Sequence, residues 1–340
     1  MKRLLLGLSV FVIGASAFAQ TSSPAAKWYK FSKVFVSEHY SSDSAVGQLE
    51  ATAVFPNKSV HKITCGGEDG ELHMGIAGEA IKWSHPQGIP FSAIATDNDS
   101  QFGIVAEPVN LTSTTNNAAQ ALSGKGTTFT GYFRLWNEGH DSGTVFPSNP
   151  HHVLELHPVW KFDGVSQHFS SPASIRSMTG YQGYGASKFK PILLLLNQEK
   201  WLHVYEDADF IYVQLARADN FYQLPVAIKS VRNVTGAVEA TVDVFSDEAR
   251  TKLVLENLRV IANKGSRVAT RLSNGEKLKF LLGIFSVNLQ VAGTQAKGHK
   301  SAQQAVFAPS ALEFFTYGVP LEHAVKAGPG ACPDDLEADK

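Results

Sequence analysis

Charge is what this 340-residue sequence has least of: 18% of its residues are Asp, Glu, Lys or Arg, against about 25% in an average soluble protein. Its 30 basic and 31 acidic residues nearly cancel, so the basic surplus with which a general nucleic-acid binder neutralises phosphates is missing. Cysteine occurs only twice, and neither Cys65 nor Cys332 has a CxxC partner, which argues against thiol redox catalysis and zinc–thiolate sites. Beyond the first twenty residues there is no run of the ~18 consecutive apolar residues that a membrane-crossing helix needs. No Gly-x-Ser-x-Gly elbow follows that leader either, and no Gly-Lys-Ser/Thr completes the spaced glycines Gly180, Gly183 and Gly185. Acyl-transfer nucleophiles and phosphate-cradling loops therefore lack support.

What is present is apolar mass. Hydrophobic residues make up 44% of the chain, with 28 Gly and 21 Phe, enough to offset chain entropy and build a core, so a disordered chain is excluded. The length allows one large or two ordinary domains. The chain opens with a short basic start, Met1-Lys2-Arg3, then the apolar run Leu4 to Gly14 and the small-x-small ending Ala15 to Ala19. This is the pattern of a secretory signal, residues 1–19, cut after Ala19. Loss of Lys2 and Arg3 leaves 28 basic against 31 acidic residues. The expected location is the periplasm or the cell exterior, with no membrane span. In that oxidising compartment an even pair of cysteines is most simply one disulfide, Cys65–Cys332. By chain entropy, the very long loop it closes would contribute on the order of 5 kcal/mol.

Strand-like segments dominate the rest. Trp28–Ser37, Gln48–Phe55, Val60–Cys65, Phe102–Val109 and Thr127–Trp136 are rich in aromatic and β-branched residues and separated by Gly, Asn, Asp or Pro. Asp209–Arg217, Phe221–Asn233, Ala237–Phe245, Lys252–Ala262 and Glu276–Val291 follow in the second half. Asn117 is a candidate cap for a short helix over Ala118–Leu122 that stops at Gly124, and Ser310 for one over Ala311–Phe315. The fold class expected is mainly β, barrel or sandwich, with a few short helices. The organisation expected is a β-rich domain over 20–165, a linker or long loop over 166–188, a second β-rich domain over 189–323 and a flexible acidic tail over 324–340. The helix after Asn117, the break Gly124-Lys125-Gly126 and the strand Thr127–Trp136 together resemble part of an OB-type barrel. The resemblance covers about a fifth of the chain, concerns the first domain's fold, and implies no function.

Period-two alternation along that strand puts Phe129, Phe133 and Leu135 on one side and Tyr132, Arg134 and Trp136 on the other. Aromatics beside a cation suit a ligand platform; packing of the three against the second half is the alternative. The histidines are concentrated: five of twelve lie between His140 and His168. If residues 151–159 are extended, His151, Glu155 and His157 share a face, with His152 on the other. With His140 and Asp141 from the preceding loop, they form a candidate ligand set for a divalent metal such as zinc, and Glu138 is a candidate general base. No zinc spacing motif frames them, and a buried Glu155–His157 polar pair is the structural alternative. The leading expectation is a non-enzymatic binding or interaction protein, its ligand a glycan, a peptide or an envelope protein rather than a nucleic acid. The surface would involve Tyr132, Arg134 and Trp136, and no cofactor is needed. The alternative is a metal-dependent hydrolase built on the 138–157 cluster.

Overall fold

The computed structural model describes residues 27–39, 46–54, 72–83, 89–90, 94–96, 103–108, 113–139, 149–162, 202–218, 221–234, 236–247 and 249–318. In chain order its elements begin with β1 (Lys27–Ser32), α1 (Lys33–His39), β2 (Val46–Val54), β3 (Met74–Trp83), β4 (Ile89–Pro90), β5 (Ile94–Thr96) and β6 (Ile104–Pro108). They continue with α2 (Ser113–Gln120), β7 (Gly126–Leu135), β8 (Leu154–Phe162), β9 (His203–Glu206), β10 (Phe210–Leu215) and β11 (Phe221–Val234). The last are β12 (Ala237–Phe245), β13 (Leu253–Asn263), α3 (Arg267–Ser273), β14 (Phe280–Val287), α4 (Leu289–Ala296), β15 (Val306–Phe307) and β16 (Leu312–Gly318). The protein is mostly β, with antiparallel and mixed sheets. No helix among the described residues is long and apolar enough to cross a membrane. The segments 1–19, 166–188 and 324–340, the strand expected over Val60–Cys65, and Cys65, Cys332, His140 and Asp141 lie outside the described residues.

Three sheets organise the strands. One has the order β15-β9-β10-β1-β5 and so takes strands from both halves of the chain. Its inner face is set by alternation: Tyr29 and Phe31 of β1 and Ile211, Val213 and Leu215 of β10 are buried, while the residues between them are not. A second sheet runs β2-β7-β8-β6-β3-β4, and β2 also pairs with β3, so five of its strands join in a ring. In the third, β11-β12-β13-β16-β14, the five strands close into a barrel. Each of these two assemblies contains one parallel pair, β6 with β8 and β13 with β16, among antiparallel neighbours.

Each expected strand that falls on described residues overlaps an observed one, and two of them are cut short by a cap. The segment Trp28–Ser37 ends as a strand at Ser32, whose Oγ accepts from Phe35 N at 3.5 Å and starts α1. Glu276–Val291 splits into β14 and α4, because the Asn288 side chain accepts from Val291 N at 3.1 Å and opens a helix. Asn117 is not a cap: α2 already runs from Ser113, and Asn117 O accepts from Ala121 N within the helical run. Nor does Ser310 start a helix over Ala311–Phe315. A single 3-10 turn, Pro309–Ala311, leads directly into β16, where Phe314 and Phe315 join the core. α3 carries no apolar stripe long enough to stand out in the sequence; Ser266 caps it through Ala269 N.

Candidate metal-binding site

Strand β6 is buried along its whole length, and four of its five residues are apolar or proline. The fifth is Glu107, 2% exposed. β6 pairs in parallel with β8, Val105 opposite Glu155 and Ala106 opposite Leu156, and the register then slips between Ala106 and Pro108. Glu107 falls at this slip, where an irregular ladder redirects a side chain toward the neighbouring strand. There its Oε2 lies 2.8 Å from His157 Nδ1.

Glu155 and His157 do share a face of β8, as alternation predicts, with His157 Nδ1 3.6 Å from Glu155 Oε1. His152 joins them against expectation. β8 begins only at Leu154, so strand alternation does not reach residue 152, and the bend before the strand brings His152 Nε2 to 3.6 Å from Glu155 Oε2. The same nitrogen is 3.6 Å from Glu107 Oε1, which also stands 3.6 Å from His73 Nε2. The side chains of His73, Glu107, His152, Glu155 and His157 are each 6% exposed or less.

Arg134, fully buried on β7, supplies the fixed positive charge. Its Nε donates to Phe285 O at 2.9 Å, and its Nη1 donates to Glu155 Oε1 at 2.6 Å and to Glu138. Two groups of potential ligand atoms therefore overlap at Glu155: Glu107, His152 and Glu155 on one side, and Glu138, Glu155 and His157 on the other.

The electrostatics follow from burial and contact. Burial and the adjacent Glu155 push the Glu107 carboxyl up, but His73, His157 and His152 outweigh them and hold it well below the ordinary range. Burial also opposes ionisation of Glu155, and Arg134 with the two imidazoles reverses this. For His152, burial disfavours the cation, yet the adjacent Glu107 and Glu155 carboxylates raise it to about 10; His157 is raised by the same two carboxylates. Glu138 is pushed up to about 7, burial and Glu155 exceeding the pull of Arg134. Two imidazolium protons or one divalent cation balance the same pair of carboxylates, so the charge pattern accepts either.

The platform expected on β7 is not an open surface. Tyr132, Arg134 and Trp136 are 0%, 0% and 2% exposed, because that side of β7 packs against β14 and β16. Tyr132 stacks on Phe315 with ring centroids 4.6 Å apart, its hydroxyl donates to Glu313 Oε1 at 2.9 Å, and Trp136 stacks on Phe285. Packing against the second half, the alternative for these three, is what is observed. His151 is only partly buried and is not among the clustered donors. Glu107 and His73 were missed. The readable signal was a lone carboxylate inside Ile104-Val105-Ala106-Glu107-Pro108 and a lone histidine between Leu72 and Met74, both of which are fully buried. No family model matches this chain, and no curated protein does.

Proposed function

We propose that the protein is a secreted, non-enzymatic binding protein built from two OB-like barrels, with a neutral glycan as its ligand. The OB-like assignment rests on strand order. Counting β2, β3, β6, β7 and β8 as first to fifth, pairing runs first-second-third-fifth-fourth and back to first, with the third and fifth parallel. β11, β12, β13, β14 and β16 repeat that order. In each set a helix, α2 or α3, follows the third strand. Barrels of this kind bind oligosaccharides and oligonucleotides, and the near-zero net charge speaks against the latter.

The observation that carries the ligand surface is the outer face of the β15-β9-β10-β1-β5 sheet. Trp28, Tyr205, Phe210 and Tyr212 stand there half-buried, with Phe307 38% exposed at the β15 edge. Tyr205 and Tyr212 stack at 4.3 Å, Trp28 meets Tyr205 edge-on at 4.8 Å, and Lys30 Nζ lies 5.2 Å from the Phe210 ring centre. Gln214 and His203 alternate with these rings in the paired strands. Such a row offers apolar ring surface to sugar C–H groups and polar neighbours to hydroxyls. The hydrolase alternative has the His/Glu cluster in its favour, but donors so deeply buried suit a closed site better than a catalytic one, which keeps an open position for water and substrate.

The test is retention of the purified protein on immobilised chitin, cellulose and mannan. Wild type should be held by at least one of them and released by soluble fragments of the same polymer. Trp28→Ala should lose retention while keeping the wild-type circular dichroism. Retention on none, or undiminished retention of a folded Trp28→Ala variant, overturns the proposal.

A further inference from the structure

We propose that Glu107, His152 and Glu155 form a buried three-donor site for one divalent transition-metal ion of the zinc class, with His73 behind Glu107. The site goes beyond the glycan surface and is independent of it. Donors at the usual 2.0–2.2 Å around a tetrahedral ion stand about 3.3–3.6 Å from one another. Glu107 Oε1–His152 Nε2 and His152 Nε2–Glu155 Oε2 each measure 3.6 Å, and the three residues offer ligand atoms all within 4.8 Å of one another. That is long for direct hydrogen bonds and right for groups sharing an ion. Glu107 Oε1, buried at the centre of these contacts, accepts no hydrogen bond of ordinary geometry from the described residues.

Outer contacts orient the imidazoles for the same purpose. His152 Nδ1 lies 2.7 Å from Pro150 O. A carbonyl can only accept, so Nδ1 carries the proton, and a neutral ring presents its Nε2 lone pair between the two carboxylates. His73 Nδ1 lies 2.9 Å from the Asn149 amide, whose Oδ1 is buried with no hydrogen-bond partner among the described residues. As placed, the amide Nδ2 donates to Nδ1, so His73 Nε2 carries the proton and turns it toward Glu107 Oε1 from outside the donor set. An imidazole with two carboxylates favours a borderline transition metal over Ca²⁺ or Mg²⁺, which prefer all-oxygen shells.

The overlapping group at Glu138, Glu155 and His157 does not add a second ion, because Arg134 already fills that cation position. Its guanidinium bridges Glu138 and Glu155 Oε1, leaving Glu155 Oε2 for the site beside His152. One ion per chain is therefore expected.

Elemental analysis of the full chain, purified without chelator and then reconstituted with Zn²⁺ and desalted, should find about one zinc per chain. Co²⁺ in its place should give the visible absorption of a four-coordinate nitrogen–oxygen site. Zn²⁺ should raise the melting temperature of chelator-treated protein, and Ca²⁺ and Mg²⁺ should not. Glu107→Gln and His152→Ala should each lower the bound metal at least tenfold. Trace metal only in reconstituted wild type, or full metal retention in either variant, overturns the proposal. The Co²⁺ spectrum and zinc content of wild type decide the matter even if both variants fail to fold, and neither readout depends on polysaccharide retention.

Discussion

Replacing Tyr132 by Phe separates a surface residue from an interlocking one. The ring itself would stay, stacked on Phe315 at 4.6 Å and 28°. Only the hydroxyl that donates to Glu313 Oε1 at 2.9 Å would go. Glu313 is 2% exposed, and its other oxygen keeps Arg259 Nη1 at 2.9 Å and Asn288 Nδ2 at 3.0 Å. A buried hydrogen bond to a charged group contributes about 1.5–3 kcal/mol. Because the carboxylate retains two donors, the loss falls in the lower part of that range, about 1.5–2 kcal/mol. Tyr132→Ala removes the ring as well and should cost about 3–5 kcal/mol, as for other large buried aromatics. Equilibrium urea unfolding followed by circular dichroism measures both, the midpoint shift giving the difference at constant slope. A Tyr132→Phe/Glu313→Gln double-mutant cycle should return a coupling of about 1 kcal/mol or more, since the two groups touch. A surface tyrosine would change stability by within about 0.5 kcal/mol on losing its hydroxyl. A Tyr132→Phe value in that range, with no coupling to Glu313, would refute the interlock.

Arg134→Met leaves Glu155 without its buried counter-charge and should destabilise by about 3–5 kcal/mol in the same assay; a loss under about 1 kcal/mol would mean the guanidinium is not the network's anchor. At Gly283 a β-carbon would stand 2.0 Å from Phe315 O, so Gly283→Ala must push β14 from β16 and should cost about 1–3 kcal/mol. Wild-type stability in that variant would contradict the observed strand packing. The Glu206 carboxyl is held down from 4.5 to about 2, first by the hydrogen bond from Lys300, then by Lys33 and the Gly298 N–H. Its ionised form thus favours the folded state above pH 4.5, and that contribution fades as the pH falls through about 2. The melting-temperature gap between wild type and Glu206→Gln should be widest above pH 4.5 and close toward pH 2; a gap that widens on acidification would reverse the sign argument.

Strands were legible because most have one buried face, and a period of two survives in sequence as the alternation of β1 and β10 or the run Phe129, Phe133, Leu135. The helices were less so: the one expected over Ala118–Leu122 overlaps α2, but α1, α3 and α4 each open on a single side-chain cap, Ser32, Ser266 or Asn288, rather than on an apolar stripe. The chemistry was half legible. Glu155 and His157 come from one strand and follow its period. His73 and Glu107 come from segments far apart in sequence and meet β8 only through pairing. His152 shows the opposite limit: it lies two residues before β8 begins, where strand alternation does not hold. Tyr132, Arg134 and Trp136 share a face, but alternation cannot say whether that face meets water or another sheet.

The contact between the two rings gives that face its meaning. β7 and β14 hold the same, fourth place in their respective rings, and they pack on each other. Leu135 N donates to Ser286 Oγ at 3.1 Å, and Arg134 Nε donates to Phe285 O. Arg134 thus has one end on β14 of the second ring and the other on Glu155, whose two oxygens are divided between the guanidinium and the proposed metal site. A change at Glu155 must disturb the contact between the rings and the metal donors together, so a loss of metal in Glu155→Gln would not say which had failed. Glu107 contacts His73, His152 and His157 and has no bond to Arg134 among those observed. Its replacement by Gln removes a donor while leaving the link between the two rings in place, which makes Glu107, absent from every sequence motif, the residue on which the metal site is best judged.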